Sequence, residues 1–381
     1  MIQHVGQVPS KIFKALSNAR PYETGLVVVD LGAIKRNYQR FLEHVSPTTI
    51  APVIKADAYG LGMVEVGGAL HEVGANEFFV ATIDEAIRLK KALPNVSVYV
   101  LYGLYFNSEQ IYLDHGIVPV LNTYEQVVRW NAFAQSKGLI LECIIHFDTG
   151  MSRTGLTIKE GSQLANAKEQ LTHIHIRYVM SHLSCSEVID NPLNKKQHQE
   201  FQAFAEQFPH TKRSLTATPV MYMPHDFKMD MARVGYGLYG FCHSRPDIHL
   251  EQAIYIYSRI IQLRDVVPGD TVGYGATHVV KEARRLATLS IGYADGYHRF
   301  LHNYKTYVYI GSHRAYLVGR ISMDFCVVDV SHIPEDALFE GAWVQMVGSD
   351  IRVADLIQGT DFVPHEIPIS VGKRYHWEYL D

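Results

Sequence analysis

The chain is short of several things, and each shortage removes a class of protein. It has four cysteines in 381 residues. Cys143, Cys185, Cys242 and Cys326 stand far apart, with no CxxC, no zinc spacing and no disulfide framework. That usage fits a reducing cytoplasm. Charge of one sign is not concentrated anywhere. The 35 basic and 39 acidic residues leave a formal net charge of −4, and with no long basic run no nucleic-acid partner is expected. Long hydrophobic runs are missing too. The longest nearly apolar stretch, VSVYVLYGLYF (96–106), is too short to span a bilayer and reads as a buried strand. No membrane association is expected. The first 23 residues, MIQHVGQVPSKIFKALSNARPYE, lack an apolar core followed by a small-residue cleavage site, so no secretory leader is expected. The 20 histidines are scattered, and no metal is expected.

What is present is ordinary globular composition, 47% hydrophobic and 19% charged, at a length that suits two domains. From residue 26 to about 240 two patterns alternate. Short β-branched runs, LVVVDL (26–31), TIAPVIK (49–55), EFFVAT (77–82), VSVYVL (96–101), IVPVLN (117–122), ECIIHF (142–147), HIRYVMSHL (175–183) and KRSLTA (212–217), predict strands. Between them IDEAIRLKKAL (83–93), TYEQVVRWNAFAQSKG (123–138) and NKKQHQEFQAFAEQF (194–208) predict helices. The spacing of Thr123 and Gln126 predicts a capping box, and Gly138 suits a C-terminal cap. Eight strands in about 215 residues suit a closed (β/α)8 barrel. A doubly wound sheet is the runner-up, but the first strand-to-helix turn has no GxGxxG.

After about residue 245 helical periodicity nearly vanishes. YIYSRIIQLRDVVPGDTVGYG (255–275), RRLATLSIGY (284–293), TYVYIGSHRAYLVGRI (306–321) and FCVVDVS (325–331) alternate and are rich in turn residues. PGD (268–270) and IGSH (310–313) predict hairpin turns. The expected division is an N-terminal extension (1–24), a barrel (25–245) and a mostly β domain (246–381).

In VIKADAYGLG (53–62), Lys55 follows an apolar strand and precedes a helix start, which places it at a barrel mouth. Position alone favours a solvent-facing lysine. A lysine partly desolvated there would have a lowered pKa and a nucleophilic amine. Tyr59 lies four residues on, within reach of the same ligand on a first helical turn. Gly60 and Gly62 would let the backbone approach that ligand closely.

VIKADAYGLG resembles the pyridoxal-phosphate lysine segment of alanine racemases, and later landmarks follow in order over roughly residues 25–380. The resemblance implies a barrel plus a C-terminal β domain, a homodimer, and pyridoxal 5′-phosphate held by Lys55 as a Schiff base. Lys55 would also be one of two acid/base groups. Tyr59 would hydrogen-bond the cofactor phosphate. In HFDTGMSRTGL (146–156), Arg153 takes the place of an arginine near the cofactor's phenolic oxygen and the substrate. Some relatives carry a carbamylated lysine where this chain has His146. A histidine cannot be carbamylated in that way, so another anion or a hydrogen bond from His146 would orient Arg153. His182, in SHL (181–183), matches a histidine near the pyridine ring.

In MARVGYGLYG (231–240), Arg233 corresponds to an arginine facing the pyridine nitrogen. A guanidinium stays protonated, so it donates to a ring nitrogen that remains unprotonated, and the cofactor becomes a weaker electron sink. That suits racemisation better than transamination. Gly235 and Tyr236 would offer backbone N–H groups to the phosphate, and Thr218 a hydroxyl. In SIGYADGYHR (290–299), Tyr293 resembles a second base, delivered from the partner subunit. Proton exchange on both faces of a planar carbanion needs a base on each face, and a tyrosine of ordinary pKa near ~10 needs positive charge close by to serve. In the SMD of GRISMDFCVVDV (319–330), Met323 matches a residue whose backbone contacts the substrate carboxylate, also in trans, with Asp324 beside it.

Two positions depart from the family pattern. Ala217-Thr218 stands where relatives usually carry Asn-Ser, and His365, in VPHEIP (363–368), stands where they usually carry a phosphate-contacting tyrosine. The expected activity is interconversion of L- and D-alanine, with a wider side-chain range, serine included, as the alternative. A decarboxylase on a similar scaffold is a further alternative, but its glycine-rich phosphate segment and EPGR-like motif are missing.

Overall fold

Short β-branched runs separated by helices leave little choice but parallel pairing, because each helix returns the chain to the same end of the sheet. A computed structural model describes residues 8–242 and 249–381. In it eight strands, Thr49–Pro52, Glu77–Val80, Ser97–Val100, Val118–Leu121, Leu141–His146, Ile174–Met180, Lys212–Ser214 and Met231–Val234, form one parallel sheet: from the second onward each pairs with the next, and the last pairs with the first. A parallel bridge between Val53 and Phe79 closes the ring. The (β/α)8 barrel expected from the sequence is therefore the fold. Its membership differs at one strand. LVVVDL, expected as the first barrel strand, pairs instead with strands of the other sheet, and MARV (231–234) is the eighth. The run could not disclose this. All six residues of Gly25–Asp30 are buried, as they would be in either sheet.

The helices follow their local signals. Thr82 and Glu85 form a reciprocal capping box on Ile83–Ala92. Thr123 caps Tyr124–Lys137, accepting from the Gln126 N–H at 3.2 Å, and Gly138 ends that helix in the left-handed conformation. The Gln126 side chain does not complete a box with Thr123. It accepts instead from the Asn122 N–H at 2.8 Å.

The mostly β region is organised by one long strand, Ile254–Val266. Its first half pairs with Gly25–Asp30 and Trp343–Val347. After a bulge at Ile260–Gln262 its second half pairs with Arg284–Leu289. Cys326–Asp329, His313–Leu317 and Tyr307–Ile310 complete an antiparallel ring back to Trp343–Val347. IGSH is the hairpin turn expected of it, with Gly311 at positive φ. PGD is a tight turn, with Gly269 at positive φ, but not a hairpin: the strand that follows it, Thr271–Val272, pairs with His278–Val279.

The chain forms two compact units. One takes in the chain up to Ile34, Tyr59–Leu61 and Tyr239–Asp381; the other takes in Lys35–Ala58 and Gly62–Leu238. The boundary expected between residues 245 and 246 lies outside the described residues. The stretch before residue 25 contains a helix, Ser10–Asn18, whose Ile12, Ala15 and Leu16 pack on Leu26, Val28, Tyr255, Tyr257 and Trp343. Lys11 fixes it electrostatically, with Nζ 2.6 Å from the buried Asp30 carboxylate.

Candidate functional site

The C-terminal ends of parallel barrel strands are where loops can converge functional side chains. Four of the expected residues belong to such loops of the barrel unit: Lys55, Arg153, His182 and Arg233. The Val53 N–H donates to Val234 O at 2.7 Å and the Ile54 N–H to Phe79 O at 2.9 Å. Lys55 is thus the first residue past the barrel's closure. The helical turn expected after it is present, but left-handed. Ala56, Asp57, Ala58 and Tyr59 have φ of 52, 54, 56 and 57°. L-residues with side chains adopt that hand at a cost of about 1–2 kcal/mol each, so surrounding bonds must hold it. They do so at three points. The Ala56 N–H donates to Glu85 Oε1 at 2.7 Å, Arg88 Nη2 to Asp57 Oδ1 at 3.0 Å, and the Met63 N–H to the same Asp57 oxygen at 3.1 Å.

Arg153 sits in a loop that leaves and rejoins the end of one strand. The Leu156 N–H donates to His146 O at 2.7 Å and the Asp148 N–H to Leu156 O at 3.0 Å. Asp148 Oδ1 collects the N–H groups of Gly150, Met151 and Ser152 at 3.0, 2.9 and 3.1 Å. Gly155 has φ +116°, and a Cβ there would lie 2.7 Å from Asp148 N, so the close return needs glycine.

Arg233 is buried, and both terminal nitrogens of its guanidinium are bonded. Nη1 donates to Ser214 Oγ at 2.6 Å; Nη2 donates to Ser181 O at 2.6 Å and to His182 Nδ1 at 3.2 Å. A guanidinium only donates, so His182 Nδ1 accepts and its proton resides on Nε2. Burial, Arg233 and Arg153 hold His182 far below its ordinary pKa, which leaves it neutral. Burial lowers the Arg233 pKa, with Arg153 adding to the effect. The Lys55 pKa is lowered first by burial and then by Arg153, while Glu85 pulls it up. The barrel unit therefore gathers an amine, two guanidiniums and a neutral imidazole. That donor set suits an anionic carbonyl compound such as a phosphorylated aldehyde. The amine meets the carbonyl, and the cations meet its negative oxygens.

Thr218, Gly235 and Tyr236 lie in the same unit. Thr218 Oγ1 accepts from the N–H groups of Gly235 at 3.3 Å and Gly237 at 3.2 Å, so the Gly235 amide expected to face a phosphate points at this hydroxyl. The Tyr236 hydroxyl donates to the Glu187 carboxylate.

The remaining expected residues belong to the other unit. Tyr59 and His365 pack edge to face, ring centroids 5.4 Å apart. Burial raises the Tyr59 pKa to about 12, so its hydroxyl remains a donor. The segments of Tyr293 and Met323 are stitched together. The Tyr293 N–H donates to Ser322 O at 3.1 Å and the Ala294 N–H to Met323 O at 3.0 Å. Both side chains are exposed, as is Phe325. Arg374 bridges Asp295, at 2.9 Å, and Asp324, at 2.7 Å, and locks this loop pair. Sequence reasoning did not single out Glu85, Asn122, Asp148, Ser214 or Arg374. Only Glu85 carried a signal, the T-x-x-E of a capping box. Among the described residues no helix is long and apolar enough to cross a membrane.

A closed parallel barrel with a lysine and two arginines at its strand ends, joined to an antiparallel β unit carrying an exposed tyrosine, defines the class. The family description "Alanine racemase, N-terminal domain" matches residues 29–243, and "Alanine racemase, C-terminal domain" matches 253–379. The chain belongs to the alanine racemase family. That membership decides between the racemase and decarboxylase scaffolds. The chain is 37% identical over 371 residues to the alanine racemase of Brucella abortus, covering 93% of each, and 34% identical over 357 residues to that of Rickettsia canadensis, covering 93% of this chain and 98% of the relative. Among solved structures it is similar to the Bartonella henselae alanine racemase with covalently bound pyridoxal phosphate: TM-score 0.90, 35% identity, 94% of this chain and 99% of that one. The biosynthetic enzyme of Pseudomonas aeruginosa gives a TM-score of 0.84 at 30% identity, covering 94% of this chain and 100% of that one.

Proposed function

We propose that this chain interconverts L- and D-alanine, using pyridoxal 5′-phosphate bound through Lys55. The observation that carries the reading is the cationic cluster of the barrel unit, in which an amine of lowered proton affinity shares its surroundings with Arg153, Arg233 and neutral His182. When bound, the cofactor supplies an electron sink that makes the substrate Cα–H acidic. The chain's own groups do the rest. Arg233 would face the ring nitrogen and keep it unprotonated. Arg153 would take the phenolic oxygen and the substrate carboxylate. His182, bonded to Arg233, would lie at the ring. Within the barrel unit, the Thr218 hydroxyl and the Tyr236 N–H would bind the phosphate.

Lys55 Nζ takes or returns the Cα proton on one face, and the Oη of Tyr293 of the partner subunit serves the other. The backbone of Met323 of the partner subunit contacts the substrate carboxylate. The homodimer is supported by the exposure of Tyr293, Met323 and Phe325 on neighbouring loops, large side chains that a partner would cover. A cytoplasmic location is supported by four free cysteines with no disulfide among the described residues. The test is to incubate the protein and cofactor with a panel of L-amino acids and resolve the products on a chiral column. D-alanine is the expected product; failure to form any D-enantiomer would sink the reading.

A further inference from the structure

Glu85 is the most heavily used carboxylate beside the Lys55 segment, and no part of the reaction outlined above employs it. It sits in the first turn of Ile83–Ala92. Oε2 accepts from the Ala81 N–H at 2.8 Å and the Thr82 N–H at 3.2 Å, closing the capping box. A box needs only one carboxylate oxygen. The second, Oε1, reaches across 29 positions of sequence to the Ala56 N–H at 2.7 Å. Ala56 follows Lys55 directly and opens the left-handed turn. One carboxylate thus ties the end of strand Glu77–Val80 to the residue after the lysine. Three backbone N–H groups converge on this one carboxylate.

We propose that Glu85 is a positioning residue for Lys55: its carboxylate pins the Ala56 N–H, fixes the left-handed turn from which the lysine leaves the barrel, and brings a negative charge to the residue beside the lysine. The charged and titratable groups around that amine are Arg153, His182 and Glu85. Arg153 is cationic and His182 neutral, so Glu85 is the one anion of the set. It offsets the cationic cluster at the single group that must both gain and lose a proton. The inference rests on the proposed role of Lys55.

The test therefore uses no substrate and no turnover. The full-length chain, freed of bound carbonyl compounds with hydroxylamine, is labelled by trace acetic anhydride over a range of pH, and acetylation of Lys55 is read by mass spectrometry. Hydrogen exchange is followed in parallel at the Ala56 amide. Glu85→Gln keeps the volume and removes the charge. Its Lys55 half-titration is expected at lower pH, with labelling at pH 7.5 up by roughly threefold or more, which corresponds to about half a pH unit. Ala56 exchange is expected to accelerate at least tenfold. Thr82→Ala is the control: it weakens the same helix start, lowers stability, and leaves both readouts at the wild-type value. Either readout remaining unchanged in Glu85→Gln, or moving equally in Thr82→Ala, overturns the proposal. A chain that labels as expected but makes no D-alanine would refute the function and leave this role standing.

Discussion

Asn122 turns its carboxamide oxygen to His146 Nδ1 at 2.8 Å, and its amide nitrogen is already given to the carbonyl oxygens of Leu101 at 3.0 Å and Val120 at 3.1 Å. The oxygen can only accept, so the histidine proton is on Nδ1, and Nε2 keeps its lone pair among the cations. Burial, then Arg233 and Arg153, push the His146 pKa down to about 3 against a smaller opposite pull from Asp148. The folded chain therefore refuses a proton that the unfolded chain accepts below about 6.5. This contribution to stability is complete above pH 6.5 and is lost as pH falls toward 3, amounting to a few kcal/mol. His182 acts in the same direction. Urea midpoints of wild type should fall from pH 7 to pH 4, and His146→Gln should flatten that slope. Parallel slopes in the two proteins would contradict a neutral, buried His146.

The left-handed turn makes an unusual prediction about glycine. In an ordinary helix Ala→Gly costs about 1 kcal/mol. At Ala56, exposed and at φ 52°, glycine removes the strain of a Cβ in the wrong hand. Ala56→Gly should therefore stabilise the chain, by up to about 1 kcal/mol after the entropy of the freer unfolded chain is subtracted. Thermal or urea denaturation reads the sign directly.

If each site draws one base from each subunit, two inactive variants should rescue one another. Lys55→Ala and Tyr293→Ala, mixed and allowed to exchange subunits, should regain activity through the half of the sites in mixed dimers that keeps both groups. Alanine racemisation before and after exchange measures it. No recovery, with mixed dimers demonstrated by mass spectrometry, would place both bases on one chain.

His365 stands where relatives usually carry tyrosine, and its ring lies against Tyr59. A shorter imidazole leaves more room than a phenol. His365→Tyr should raise the ratio of kcat/KM for alanine over serine several-fold. An unchanged ratio would remove pocket size as the consequence of this departure.

The order of strands along the chain, the helix caps and the matched segments were legible because each depends on a few neighbouring residues. Thr123 and Gly138 announce their helix by local chemistry, and both cap as expected. Legibility failed where a partner is distant in sequence. LVVVDL is equally at home in either sheet, and only the pairing with Ile254–Tyr257 and His376–Leu380 decides. The helix Ser10–Asn18 was not read from the sequence, where residues 1–24 stood only as an extension, and what it covers could not be read either. The hand of the turn after Lys55 had no sequence mark either, since Ala-Asp-Ala carries none of the glycine that usually signals positive φ. It is imposed by Glu85, Arg88 and Met63 from outside the segment.

The pairing of Gly25–Asp30 has a consequence for how the protein is made. Its parallel neighbour, His376–Leu380, is translated roughly 350 residues later, after the whole barrel, and its antiparallel neighbour begins at Ile254. An early strand of the nascent chain must wait, apolar and unpaired, while the barrel can condense on the ribosome. The β unit is sealed only once the strand His376–Leu380 has emerged. A stalled or shortened chain would carry a folded barrel and a sticky, uncovered strand, a form that quality-control chaperones and proteases are suited to capture.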